Sequence, residues 1–179
     1  MNPIDASLNA SRGPVLLITL GVALLAVLIT LGVLYTTGLF TPAVPTRQAM
    51  VHTTGSQVMP FDLTKTTHIF DMTDTGGVQR VVVKNPTDAD EIALVQQHLQ
   101  HEATQFRAGN FTDPASIRGV EMPGLRDLAA GAARVTVDYI ALPNGAQITY
   151  TTQDAHLVTA IHQWFGAQLS DHGHDAMSQ

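Results

Sequence analysis

At 179 residues, with a formal net charge of −6 and no cysteine, the chain has room for one modest core and no disulfide framework. From Thr41 onward it carries 8 Lys+Arg against 14 Asp+Glu, a balance that argues against nucleic acid or an anionic lipid surface as partner. All eight histidines lie beyond residue 50, a density that raises the question of a metal.

Residues 1–13 read as a short polar tail. Val15 to Leu34 follows, twenty residues without a charge, in which only Thr19 and Thr30 have polar side chains. At about 1.5 Å of rise per residue, such a helix spans roughly the 30 Å hydrocarbon core of a bilayer. A threonine hydroxyl can return to a carbonyl one turn back, so both residues are tolerated there. The expectation is one transmembrane helix over residues 14–35, with the lipid bilayer as its partner. The run is longer than the apolar region of a cleaved secretory peptide, which favours a retained signal anchor. Arg12 precedes the run and no basic residue follows it until Arg47, so the positive-inside rule places the N-terminus in the cytoplasm and the rest outside.

Residues 36–58 contain Pro42, Pro45 and several threonines, show no apolar periodicity, and read as a linker. An extracytoplasmic α+β domain is then expected over 59–169, built from one pattern used twice. In the first copy His68–Met72 and Val78–Lys84 flank a glycine-containing turn, the signature of a hairpin. Thr87 or Asp88 caps a following helix whose buried stripe is Ile92, Val95, Leu99 and Phe106. Phe111 to Ala132 connects the copies, with short helices expected at Asp113-Pro114 and at Met122-Pro123-Gly124-Leu125. In the second copy Val135, Val137 and Tyr139 alternate along a strand, Leu142–Gly145 turns it, and Gln147–Thr152 returns. Asp154 then caps a helix with the stripe Val158, Ile161, Phe165 and Leu169. A hairpin with one helix cannot bury its apolar face alone, so the two units should combine into a four-stranded, mostly antiparallel sheet with helices on one face. Residues 170–179 form a tail rich in His and Asp.

Chemistry is less legible. No nucleophile elbow and no phosphate-binding glycine loop is present, so a non-enzymatic role is favoured. His98, His101 and Glu102 share a helix face, which reads as solvated opposite Ile92 and Leu99. His68 shares a strand face with Phe70 and Met72, a mixture of N and S donors that suits copper. His162 lies beside the core position Ile161, and His172 opens a tail containing His174, Asp175 and Met177. The candidate metal ligands are therefore His68, Met122, His162 and His172, with copper as the favoured ion. The competing expectation is an accessory module that docks on a membrane protein partner.

The stretches Met59–Phe70, Gly76–Gln79, Met122–Leu125, Leu142–Gln147, Ile161–Phe165 and Gln168–Gly173 together resemble a family of small uncharacterised bacterial proteins, membrane-anchored or secreted. The resemblance covers nearly all of the chain after Gln57. Its members are often labelled aspartate carbamoyltransferase, which would imply carbamoyl transfer. The Ser-Thr-Arg-Thr loop that holds carbamoyl phosphate in that enzyme is absent here. The His-rich ends of the family imply metal handling, and its members tend to have His where this chain has Arg118.

Overall fold

The computed structural model describes residues 12–36, 46–172 and 176–178. The chain divides into two compact units, Met1–Val44 and Pro45–Gln179. In the first, a helix α1 covers Arg12–Thr36. Its side chains are described over 21–33, about 20 Å of helical rise, and the large apolar ones among them are at least half exposed. Thr30 Oγ1 donates to the Ala26 carbonyl at 2.8 Å, the return expected of a hydroxyl in an apolar helix. Among the described residues, no helix is long and apolar enough to cross a membrane.

The second unit is α+β with a mixed five-stranded sheet, where the sequence predicts a four-stranded, mostly antiparallel one. Strands β1 (Thr66–Thr73) and β2 (Gly76–Val83) form the first hairpin, and β3 (Thr136–Leu142) and β4 (Gly145–Thr151) the second. The hairpins join through antiparallel pairing of β2 with β4. The fifth strand, β5 (Ala176–Met177), comes from the tail and runs parallel to β1, with Ala176 opposite His68. The order is β3-β4-β2-β1-β5. Two residues are too short a run for a period-2 signal, which is why the sequence does not announce this strand.

Register sets one face. His68 and Phe70 of β1 lie across from Val81 and Gln79 of β2. Gln79 in turn pairs with Ile148 of β4, and Ile148 with Tyr139 of β3. This face is covered by helix α3 (Ala89–Arg107) over β3, β4 and β2, and by α6 (Ala155–His172) over β2 and β1. The placement of both helices on one face agrees with the sequence expectation. In sequence Gly77-Val-Gln79 matches Gly145-Ala-Gln147, but in the sheet the repeat is shifted by one residue. Gln79 faces the helices whereas Gln147 faces away, so the positions that correspond in the sheet are Gly76 and Gly145. Each begins a strand at one end of the central seam: a Cβ on Gly76 would strike the Tyr150 carbonyl, and one on Gly145 the Val81 carbonyl. Gly76 also has φ +146°, a conformation that L side chains rarely adopt.

Two short helices, α4 (Thr112–Arg118) and α5 (Leu125–Gly131), bridge the copies where the sequence places them. The segment read as a linker departs from expectation, because α2 (Arg47–Val58) occupies its second half. Thr46 caps it by accepting from the Ala49 amide at 3.2 Å. Only Val51 and Gly55 of this helix are buried, so it lacks the apolar stripe that a periodicity search needs. Side-chain bonds to the end of α6 dock it instead: Arg47 Nε to Asp171 Oδ1 at 2.6 Å, and Gln48 Nε2 to the Ser170 carbonyl at 3.1 Å.

Candidate functional site

The buried stripe of α3 runs Val95, Leu99, Glu102, Ala103, Phe106, and that of α6 runs Leu157, Ile161, Trp164, Phe165, Gln168, Asp171. Apart from Glu91 in the first turn of α3, whose carboxylate accepts from the Asp62 amide, each stripe is apolar except where it nears α2 and α4. There Glu102, Gln168 and Asp171 occupy positions that helical spacing commits to the interior. Glu102, read from sequence as part of a solvated face with His98 and His101, is buried, while His101 is exposed and His98 half-buried.

Burial, followed by a side-chain hydrogen bond with Asp113 and its charge, pushes the Glu102 carboxyl up to about 8. At neutral pH it is therefore a protonated acid beside a carboxylate. His98 sits against the same pair and is held below the ordinary histidine range by burial, with Asp113 opposing. On the other side, the Arg118 side chain is 2% exposed and approaches Asp171 at 3.6 Å through Nε, and Arg47 binds the same carboxylate at 2.6 and 3.1 Å. Burial lowers the Arg118 guanidinium to about 10 against the pull of Asp171, so it remains a cation at neutral pH. Arg118 Nη2 donates to His172 Nε2 at 2.6 Å. Burial first, then Arg118 and His52, push His172 down to about 3, which fixes its ring as a neutral acceptor.

Two cavities meet at these residues. An inner one of about 40 Å³ is bounded by α3, α4, α6 and the β1–β2 hairpin, and a larger one of about 320 Å³ lies against α2. Met59, His68, Arg118 and His172 belong to the walls of both. Glu102 Oε1, Trp164 Nε1 and Gln168 Nε2 are buried with no hydrogen-bond partner among the described residues, Arg118 Nε meets only the Asp171 carboxylate at 3.6 Å, and all four residues line the inner cavity. Buried polar atoms are ordinarily paired, so three orphans on residues around one space mark it as a place for an occupant.

No protein-family model matches the chain, and no curated protein or solved structure matches it. Of the four predicted ligands, the fold brings two together: the His68 and His172 rings stack with centroids 4.3 Å apart. His162 is drawn elsewhere. Its Nε2 bridges the Thr73 and Gly76 carbonyls at 3.0 and 2.9 Å, holding the β1–β2 turn about 17 Å along the strand from His68. Met122 is packed in the apolar core, 3% exposed, between α4 and α5. Among the described residues, no group of three or more His, Cys, Asp or Glu is arranged to hold a metal ion. His174 and Asp175 of the tail lie outside the described residues. The sequence reading misses Arg118, Trp164, Gln168 and Asp171 as site residues. Gln168 and Asp171 were legible in principle, because they continue the spacing of Ile161 and Trp164 along a buried stripe.

Proposed function

We propose that the chain is a single-pass membrane protein whose Pro45–Gln179 unit stands on the extracytoplasmic side and binds a small ligand inside the cavity bounded by α3, α4 and α6. The observation that carries the binding role is the set of three polar atoms, Glu102 Oε1, Trp164 Nε1 and Gln168 Nε2, that have no partner among the described residues and belong to residues around one internal space. A domain selected for stability alone would fill such a space with apolar side chains, since each unpaired buried polar group costs about 1–3 kcal/mol. The membrane role is supported by the uncharged run from Val15 to Leu34 and by the outward apolar side chains of α1. Arg12 ahead of the run and the lack of a basic residue behind it until Arg47 support the orientation.

Alkaline extraction of membranes followed by protease treatment of intact cells tests the anchoring. The protein is expected to stay in the membrane pellet and to lose its C-terminal domain to external protease. Release into the alkaline supernatant, or a protected domain, overturns this part. For the binding role, the purified protein is screened for stabilisation by small polar compounds; a melting temperature indifferent to all of them counts against it.

A second reading, copper binding, is favoured by the His68–His172 stack. Its difficulty is electrostatic, because the Arg118 cation already donates to His172 Nε2 where a metal would need that lone pair. Titration with Cu(I) and Cu(II) decides it: tight binding lost in both His68→Ala and His172→Ala supports the ion, and binding unaffected by the two changes removes this site.

A further inference from the structure

We propose that the ligand of this cavity is an uncharged molecule with a primary carboxamide head, whose carbonyl accepts from Trp164 Nε1 and Gln168 Nε2 and whose amino group donates to Glu102 Oε1. This rests on the cavity being a binding site and adds the class of ligand.

Charge is the first constraint. Arg118 and Asp113 line the inner cavity, and Asp171, which holds Arg47, lines the outer one. Glu102 keeps its proton at neutral pH, and His98 and His172 are neutral there. Two arginines therefore meet two aspartates and the charges cancel. Arg118 is moreover engaged by Asp171 through Nε and by His172 through Nη2, so its guanidinium is not offered to an anion. An ionic ligand finds no counter-charge here, and burying it unpaired is costly.

Hydrogen bonding is the second constraint. Trp164, Gln168 and Glu102, which carry the three unpartnered atoms, are 1%, 4% and 7% exposed. Two of these atoms are N–H donors on α6, one turn apart on the same helix face. The third belongs to α3: with the Glu102 proton engaged by Asp113, Oε1 keeps its lone pairs and accepts. An occupant must thus accept twice and donate once. A carboxylate cannot donate, an ammonium cannot accept, and an ester has no polar hydrogen. A carbonyl oxygen has two lone pairs for the two donors of α6, and the amide nitrogen beside it supplies hydrogens for α3.

Size separates the amide from a hydroxyl, which also accepts and donates. A water needs about 10–15 Å³, so the inner cavity of about 40 Å³ has room for a head of about three heavy atoms instead of a lone oxygen. The adjoining space of about 320 Å³ takes the remainder of the ligand, and Val51, Met59 and Leu63 give it apolar wall. A short aliphatic amide satisfies both spaces.

Trp164 is the only tryptophan in the chain and lines the inner cavity, so its fluorescence reports occupancy. The full-length protein in detergent is titrated with propionamide and with propionate, propylammonium, 1-propanol and methyl acetate, which match it in size. Binding is followed by Trp164 fluorescence and melting temperature. Ligands of so few atoms should saturate at about millimolar concentration. Propionamide is expected to bind at least about 10-fold tighter than the others, because each brings an unmatched charge or leaves a buried polar atom unpaired. In Glu102→Met the amino group loses its acceptor, so the preference for propionamide over methyl acetate should fall to within about 3-fold. Gln168→Met should weaken both compounds alike, by about 5-fold or more. If either variant does not fold, the ligand series on the unsubstituted protein still decides. Any of the other molecules binding as tightly as propionamide, or an undiminished preference in folded Glu102→Met, overturns the carboxamide while leaving the cavity reading in place. Silence from every compound overturns both.

Discussion

The two ends of the space between helices and sheet are built to opposite rules. Over β2 and β4, Phe106, Phe111, Tyr150, Trp164 and Phe165 pack ring against ring, with centroids 4.8 to 6.2 Å apart. Here the one buried hydroxyl, Tyr150 Oη, is paired, donating to Gln79 Oε1 at 3.0 Å. One or two helical turns away on the same helices, Glu102, Gln168 and Asp171 replace the aromatics, and α2 and α4 close over them. The first end is a core in the ordinary sense. The second keeps buried charge, and polar atoms unpaired among the described residues, where apolar residues would fit; under the proposed function, the two ends serve stability and recognition separately. Trp164 stands at the boundary, its ring in the aromatic cluster and its indole among the cavity residues.

Changes at the dry end should therefore be the costly ones. Phe165→Ala removes a fully buried ring that touches Phe70 and Tyr150, and should lower unfolding free energy by about 3–5 kcal/mol in urea titration. Gly76→Ala should cost about 1–3 kcal/mol in the same assay, because its φ of +146° and its approach to the Tyr150 carbonyl leave no place for a Cβ. If either change proves neutral, the seam between the hairpins is not the rigid part of the molecule.

The wet end should announce itself through pH. Glu102 holds its proton more tightly in the folded chain, at about 8 against an ordinary 4.5, so stability falls as pH rises through that interval. His172 resists protonation, at about 3 against an ordinary 6.5, so stability falls as pH drops below 6.5. Between about 4.5 and 6.5 the two slopes oppose each other, and melting temperature measured across pH should show a plateau there with a decline on both sides. Glu102→Gln should flatten the alkaline limb and leave the acid limb intact. The smallest effect is expected at His162→Ala, about 1 kcal/mol, because it releases a shared hydrogen bond at an exposed turn and touches neither end of the interior.

Much of the dry end can be read from sequence and little of the wet end. Alternation in Val135, Val137 and Tyr139 and helical spacing in Val95, Leu99 and Phe106 report burial directly, so hairpins, helices and their common face follow from pattern. Glu102 and Gln168 obey the same spacing, yet a polar letter at a buried position looks like solvent exposure until the neighbouring element is known. Arg118 and Asp171 are further hidden because their partners lie across the chain: Arg47 is 124 residues from Asp171, and His172 is 54 from Arg118. The helix α2 escapes for a related reason, being held by side-chain bonds and two small buried positions instead of an apolar stripe. The sequence shows His68 only its neighbours on the strand, and its actual companion, His172, arrives from the far end of α6.

Under the proposed function, the polar end is maintained for a ligand at the expense of stability. Urea unfolding of the Glu102→Met, Gln168→Met double variant tests it most directly, since thioether side chains can fill the same space without leaving polar atoms unpaired. The account predicts stability equal to or about 1–2 kcal/mol above that of the unsubstituted protein, because two unsatisfied groups are removed. A loss of about 2 kcal/mol or more would contradict it, by showing that Glu102 and Gln168 hold the fold together.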